Sequence, residues 1–147
     1  MDILVELPGW FGDPDAVAGY AASADRGPAW LARDESGPVG ILVARRHYPE
    51  SAEIECMAVR PRARGHGVGR TLIAAFEDWA VHEGVRALLV KTLGPSHPDP
   101  GYVETPAFYT AVGFIALEES RKIWGPDNPC LLAVKPVGAG GPERPPQ

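Results

Sequence analysis

The chain has 147 residues, 45% of them hydrophobic and 22% charged, with 14 basic against 19 acidic side chains and a formal net charge of −5. A chain of this size folds as one globular domain with a core of useful extent, and its apolar share excludes a disordered or fibrous protein. The acidic balance argues against nucleic acid as a main partner, because phosphate binding needs a basic face, and no uncharged apolar stretch approaches the roughly 18 residues of a membrane span. Residues 1–6 lack the basic flank and apolar run of a secretory signal, which sets a cytoplasmic expectation. Cys56 and Cys130 are the only cysteines. They are too few for a disulfide framework or a four-cysteine zinc site, so buried thiols and no metal site are expected.

In chain order, residues 1–7 read as a short strand closed by Pro8-Gly9 and followed by the aromatic pair Trp10-Phe11. Asp13-Pro14-Asp15 has the acidic first turn and early proline of a helix start, predicting a helix to about Arg26. Apolar runs at 29–34 and 39–47 flank Glu35-Ser36-Gly37-Pro38, the composition of a hairpin turn, and a third strand at 52–59 follows Pro49. Leu72, Ile73, Phe76, Trp79 and Ala80 then recur at helical spacing, with Gly84 as the stop. The apolar run 87–90 reads as a strand covered on both faces. A Pro- and Gly-rich loop at 94–101, a short helix at 106–112 ended by Gly113, and strands at 114–117 and 131–134 complete the order. From Val137 the chain is mostly Gly, Pro and charge. Residues 137–147 therefore read as a tail outside any core, and residues 1–136 as a single domain.

The informative unit is the segment between the third strand and its helix, Arg60-Pro61-Arg62-Ala63-Arg64-Gly65-His66-Gly67-Val68-Gly69-Arg70, free of acids in an acidic protein. Glycines at 65, 67 and 69 let the backbone turn its N–H groups toward one point. The helix start adds a favourable dipole for a phosphate or pyrophosphate. Arg62, Arg64 and Arg70 complete the charge balance. The spacing is not the dinucleotide fingerprint, which needs Gly where Arg70 stands, nor the nucleotide P-loop, which needs a Gly-Lys-Ser/Thr ending. Taken alone, the segment reads equally as a flexible loop with solvated arginines.

Arg64-x-x-Gly67-x-Gly69, behind Met57-Ala58-Val59-x-Pro61 and ahead of Phe108-Tyr109-x-x-x-Gly113-Phe114, resembles the GNAT superfamily of N-acetyltransferases. The resemblance covers residues 29–135, and the segment before it matches only in element order. It implies an α/β (α+β) fold: a mixed, mostly antiparallel central sheet of about six to seven strands with flanking helices, GNAT-like, whose central strands splay apart to admit acetyl-CoA. The family's loop holds the CoA pyrophosphate through backbone N–H groups, carried here onto Arg64, Gly65, His66, Gly67, Val68, Gly69 and Arg70. Its preceding strand pairs with the pantetheine arm, carried onto Met57, Ala58 and Val59. Its tyrosine near the CoA sulfur corresponds to Tyr109.

An acceptor amine with a pKa near ~10 is almost wholly protonated at neutral pH, so attack on a thioester needs a base. Alternation along 52–59 puts Glu53 and Glu55 on one face and Ile54 and Cys56 on the other, and a carboxylate on a central strand is costly to bury dry. Counting back from Val59, Glu53 occupies what resembles the catalytic glutamate of the histone-modifying relatives. The alternative, for Glu53 and still more for Glu55, is an ion pair with Arg45 or Arg46. Tyr109 either gives its phenolic O–H to the departing thiolate or is an aromatic packed under the last helix. Cys56 reads as a small core residue rather than an acetyl carrier, since most relatives transfer directly. His66 reads as solvated, and His97 either lines the acceptor entrance or stiffens its loop. Many relatives carry an Asn beyond the strand after the CoA helix, where this chain reads Lys91-Thr92-Leu93-Gly94-Pro95-Ser96. Thr92 or Ser96 would have to substitute for that contact.

The resemblance thus implies an acetyl-CoA-dependent N-acetyltransferase, with acetyl-CoA as co-substrate and the primary amine of a small molecule as acceptor. Trp10, Phe11 and Trp30 form a candidate aromatic wall, and Glu53, Glu55, Asp99 and Glu104 candidate attractors of a cation, each with packing or solvation as its alternative. Acetylation of a protein lysine or N-terminus stays open, as do a non-catalytic acetyl-CoA-binding module and assembly as a homodimer.

Overall fold

Glu35 and Ser36 turn the chain so tightly that Asp34 pairs with Gly37. The Asp34 carboxylate accepts bonds from both the Ser36 amide, at 2.8 Å, and its hydroxyl, at 2.6 Å, a local mimic of a backbone turn. This hairpin joins β1 (Ala29–Asp34) to β2 (Gly37–Tyr48), so Gly37 and Pro38, expected in the turn, belong to the strand. The computed structural model describes residues 28–99 and 104–138. The expected strand at 1–7, the helix ending near Arg26, Trp10, Phe11 and the chain after 138 lie outside the described residues.

β3 (Ser51–Val59) follows, then a 3-10 turn at Pro61–Ala63, α1 (Val68–His82), β4 (Ala87–Leu93), α2 (Glu104–Ala111), β5 (Ile115–Ser120) and β6 (Cys130–Pro136). These six strands form one sheet in the order β1-β2-β3-β4-β6-β5. Every strand contact is antiparallel except β3–β4, the pair that α1 joins as a crossover helix. The mixed sheet matches the expected architecture.

α1 buries Leu72, Ile73, Phe76 and Ala80 against Leu42, Ala44, Ala52 and Ile54, as its periodicity dictates. Burying a side chain the size of Phe76 contributes roughly 1.5–3 kcal/mol. The Trp30 ring lies 5.7 Å from Phe76 and 5.9 Å from Trp79, which makes Trp30 part of this packing and not an acceptor wall. Gly84, at φ +79°, ends the helix where expected. β4 departs from its expected double cover: Leu88, Val90 and Thr92 are buried, while Leu89, Lys91 and Leu93 are half-buried. Val137 donates to the Arg86 carbonyl and packs on the core, so the core reaches one residue past the expected boundary at 136.

Two irregularities of β3 position the site. Val43 pairs with Cys56 and Ala44 with Ile54, which leaves Glu55 without a partner on β2 and makes it a β-bulge. Residues paired across an antiparallel ladder share a face. Cys56, opposite Val43, therefore shares a face with Glu53, opposite Arg45, and Ile54 shares the other with Met57. This corrects simple alternation, which set Cys56 beside Ile54. On its other edge β3 pairs with β4 only at residues 51–54, against 87–90. Residues 55–59 part from β4, which goes on to pair along its whole length with β6. The central strands splay.

Candidate active site

Beyond Ile54 the β3 backbone bonds β2 on one edge only, so at Met57, Ala58 and Val59 the other edge faces the gap. An extended ligand chain has there the partners that a strand would have. The Gly-rich loop continues this wall. Gly65 and Gly67 take φ of +80° and +82°, a left-handed backbone that favours glycine, and a Cβ at either would meet nothing within 4 Å. Gly67 is the N-cap of α1, whose first turn holds no acid. The N–H groups of Val68, Gly69 and Arg70 have no intrahelical carbonyl to bond and point out of the helix start, an arrangement that suits an anion. An open cradle with aimed donors fits the pyrophosphate that the sequence implied.

The arginines divide. Arg64 and Arg70 are exposed beside the loop, Arg64 with its Nε donating to the Val59 carbonyl at 3.3 Å. Arg62 is committed elsewhere, bonding Asp34 at 3.0 Å and the Ser36 hydroxyl at 2.5 Å. The Ser36 bonds first, then Arg62, hold the Asp34 carboxyl down to about 2. His66 is exposed, as expected. A cleft of about 410 Å³ on the β1 side of the loop is lined by Ala32, Asp34, Arg62, His66 and Thr71, among others. Neither Glu53 nor Tyr109 lines it. Gly69 is not at positive φ, which corrects the expectation that all three glycines serve to turn the backbone.

Glu53 is 9% exposed. One carboxylate oxygen lies 2.7 Å from His47 Nε2 and the other 3.5 Å from Lys91 Nζ. The expected arginine partners are occupied otherwise. Arg45 meets Glu55 at 3.5 Å, and Arg46 bonds Glu83 and the Pro49 carbonyl while lying 6.0 Å over the Trp79 ring. A secluded carboxylate persists only with such partners, because unpaired burial of charge is costly. Sequence reasoning missed both His47 and Lys91. A lysine on the mostly apolar strand 87–93 stood out, though nothing in the sequence named Glu53 as its partner, whereas His47 reaches Glu53 only through a register irregularity between Arg46 and Tyr48. Cys130 is fully buried on this face; burial pushes its thiol up, with Lys91 and Glu53 acting in opposite directions.

Tyr109 is 6% exposed on α2, edge-on to Phe108 at 5.3 Å and to Phe114 at 5.6 Å. Burial, and secondly the Cys56 charge, raise its phenol well above the ordinary range. The hydroxyl therefore stays protonated and can donate. It forms no hydrogen bond among the described residues, and no sealed side-chain oxygen there lacks a partner, so this hydroxyl opens to solvent. Burial, then Glu55, push the Cys56 thiol up to about 12, which removes the thiolate that an acetyl carrier needs.

The loop after β4 is self-occupied. Thr92 is buried on the core face. The Ser96 amide donates to Glu119 at 3.0 Å and its hydroxyl accepts from Arg121 at 3.1 Å, bonds that tie the loop to β5 and hold the Glu119 carboxyl below its usual range. Ser96 thus serves the loop. His97 accepts from the Asp99 amide at 3.1 Å, a bond that stiffens the same loop.

Residues 5–114 match the model of the Acetyltransferase (GNAT) family. Among solved structures, the chain is similar to a GNAT-family protein from Desulfovibrio desulfuricans, at TM-score 0.76 and 21% identity over 91% of this chain and 88% of that one. It is similar to an aminoglycoside 6′-N-acetyltransferase complexed with coenzyme A, at TM-score 0.65 and 19% identity over 80% and 74%. It is also similar to the ribosomal-protein-S18-alanine N-acetyltransferase from Escherichia coli, at TM-score 0.69 and 16% identity over 88% and 81%. Among curated proteins none matches the chain.

Proposed function

The chain belongs to the GNAT acetyltransferase family, and on that premise we propose that it moves an acetyl group from acetyl-CoA directly to the primary amine of a small molecule. The observation that carries this reading is the parting of β3 from β4 after the Ile54–Val90 pair. Glu53 stands one residue before the parting and the Gly-rich loop at the far end of the same strand.

Acetyl-CoA supplies the activated thioester. The N–H groups of residues 65–70 hold its pyrophosphate, with Arg64, whose own N–H bonds the Pro61 carbonyl, beside them, and the open edge of Met57, Ala58 and Val59 holds its pantetheine arm. Glu53 takes the proton of the acceptor's ammonium, so that the neutral amine attacks as the carbon–sulfur bond breaks, and the proton that the new amide nitrogen sheds goes to the departing thiolate. His47 and Lys91 hold the carboxylate in place. Tyr109 gives a hydrogen bond to the departing sulfur. Its raised pKa keeps the hydroxyl protonated and able to donate. The seclusion of Glu53 supports an acceptor whose amine sits on a slender arm. Of the structural neighbours, the name of one gives a small-molecule acceptor and that of another a protein alanine.

Thiol release from acetyl-CoA, screened against aminoglycosides, polyamines, amino acids and peptides, tests the proposal. Turnover with small amines above peptides is the expected result. Release with peptides alone would move the acceptor to protein, and no release with any amine would leave a binding module. In the same assay series acetyl-CoA at about 100 times its Kd should add roughly 2.7 kcal/mol of stability. Gly67→Asp, which puts bulk and negative charge in the cradle, should abolish that gain.

A further inference from the structure

The three glycines of the loop look alike in sequence and differ in the structure. Gly65 and Gly67 answer a left-handed backbone and face open space. Gly69, the second residue of α1, has no such backbone. At a helical position alanine is intrinsically preferred to glycine, so something other than backbone geometry excludes a methyl group. A Cβ on Gly69 would lie 3.0 Å from Phe108 Cζ and 3.1 Å from its Cε1, closer than ordinary van der Waals contact. The ring tip of Phe108 occupies the place of the missing side chain.

We propose that Phe108, seated in the notch of Gly69, is the positioning residue that fixes Tyr109 relative to the pyrophosphate loop. α2 has only eight residues and no stability of its own, so tertiary contacts set where it lies. Besides its packing on β4 and the core, its ties include Phe108 on Gly69, Tyr109 edge-on to Phe114, and the Val112 carbonyl bonded by Lys135 at 2.7 Å. The first of these joins it to the turn whose N–H groups hold the anion. One ligand reaches from that turn to Tyr109, pyrophosphate at one end and sulfur at the other. The reach of one aromatic ring, tip first against Gly69, therefore sets the span between the two grips. Gly69 is glycine for the sake of Phe108, not of the phosphate. The inference rests on the reading of Tyr109 given above.

Steady-state kinetics and acetyl-CoA thermal shifts of Gly69→Ala, Phe108→Leu, their double variant and Tyr109→Phe test it. The added methyl displaces the ring by some tenths of an ångström, and small misplacements of a reacting group are costly. Gly69→Ala should lower kcat about 10-fold while the acetyl-CoA KM and thermal shift stay within about twofold. Phe108→Leu alone should slow turnover likewise, since it empties the notch. The double variant, which refills it, should recover kcat, a compensation that only a direct contact produces. Loss of acetyl-CoA binding in Gly69→Ala without recovery in the double variant would overturn the inference, because the glycine would then serve the phosphate. Should Gly69→Ala not fold, wild-type kcat in Phe108→Leu overturns it equally. Slowed Tyr109→Phe beside unslowed Gly69→Ala strikes the notch alone; wild-type turnover in Tyr109→Phe takes down the reading of Tyr109 and the purpose of the notch together.

Discussion

The two halves of β3 are continuous in sequence and opposite in use. Residues 51–54 bond strands on both sides, and Ile54 sits in the core beneath α1. Residues 55–59 keep β2 and give up β4. Between them stands one unpaired residue, Glu55. Its extra length swings the face pattern by one position, which puts the Cys56 side chain on the same side as Glu53. A single inserted residue thus separates a doubly paired segment from one with an open edge, with the candidate base on the doubly paired side. A carboxylate held by a fully paired strand keeps its place while a ligand enters and leaves beside it.

The largest effect should come from Glu53→Gln, which keeps shape and hydrogen bonding but removes the basic site. A true base predicts kcat/KM lower by roughly 10²–10⁴-fold, with recovery as pH rises and the amine loses its proton unaided. Glu55→Gln, across the divide and paired only with a mostly exposed Arg45, should stay near wild type. Were Glu53 only a partner for His47 and Lys91, the folded fraction would keep its rate and stability would fall by about 3–5 kcal/mol instead. Melting curves beside the pH–rate profile separate the two.

Next in size is a contrast in stability. Ile54→Ala, in the doubly paired half, should cost about 2–5 kcal/mol in urea unfolding, and Met57→Ala, half-buried in the open half, clearly less. Equal losses would erase the distinction between the halves. Smaller again is the behaviour of Cys56. Its folded pKa is raised, so its share of stability is fully present below the ordinary value of 9.0 and is lost progressively as pH rises from there through about 12. At pH 8 the native protein should leave Cys56 unmodified by a maleimide that labels the unfolded chain.

The smallest effect, remote from the divide, belongs to the β1–β2 turn. The Asp34 carboxyl is lowered to about 2, so what it contributes is present above the unfolded value and lost as pH falls toward 2. Asp34→Asn should lower the melting temperature slightly at neutral pH, and the difference should close in acid.

What the sequence made legible were periodic and local features. Leu72, Ile73, Phe76 and Ala80 announce α1 because one helical face is buried, and Gly84 announces its end. The cradle was legible for a similar reason, since Gly65 and Gly67 answer a local backbone demand. The bulge was not. Glu55 looks like any polar member of an alternating strand, and only the pairing of Val43 with Cys56 and Ala44 with Ile54 reveals the slip. The end of the β3–β4 ladder depends on where α1 returns the chain, which no window of β3 contains. For the same reason His47 and Lys91, from two other strands, were not visible as the partners of Glu53. Gly69 was grouped with its neighbours because its requirement comes from Phe108, 39 positions away in the chain.

The parted half of β3 has a further consequence for how the protein behaves when empty. A row of backbone donors and acceptors without a neighbouring strand is what makes the rim of a sheet adhesive, and natural sheets blunt their rims with charge, twist or cover. Here such a rim lies in the middle of the sheet, where β4 walls it on one side and the surrounding strands prevent it from twisting away. On the function proposed above, the pantetheine arm of acetyl-CoA would cover this edge. On that reading the ligand-free protein exposes this edge and should aggregate more readily than the protein with acetyl-CoA bound, which light scattering of the two would check.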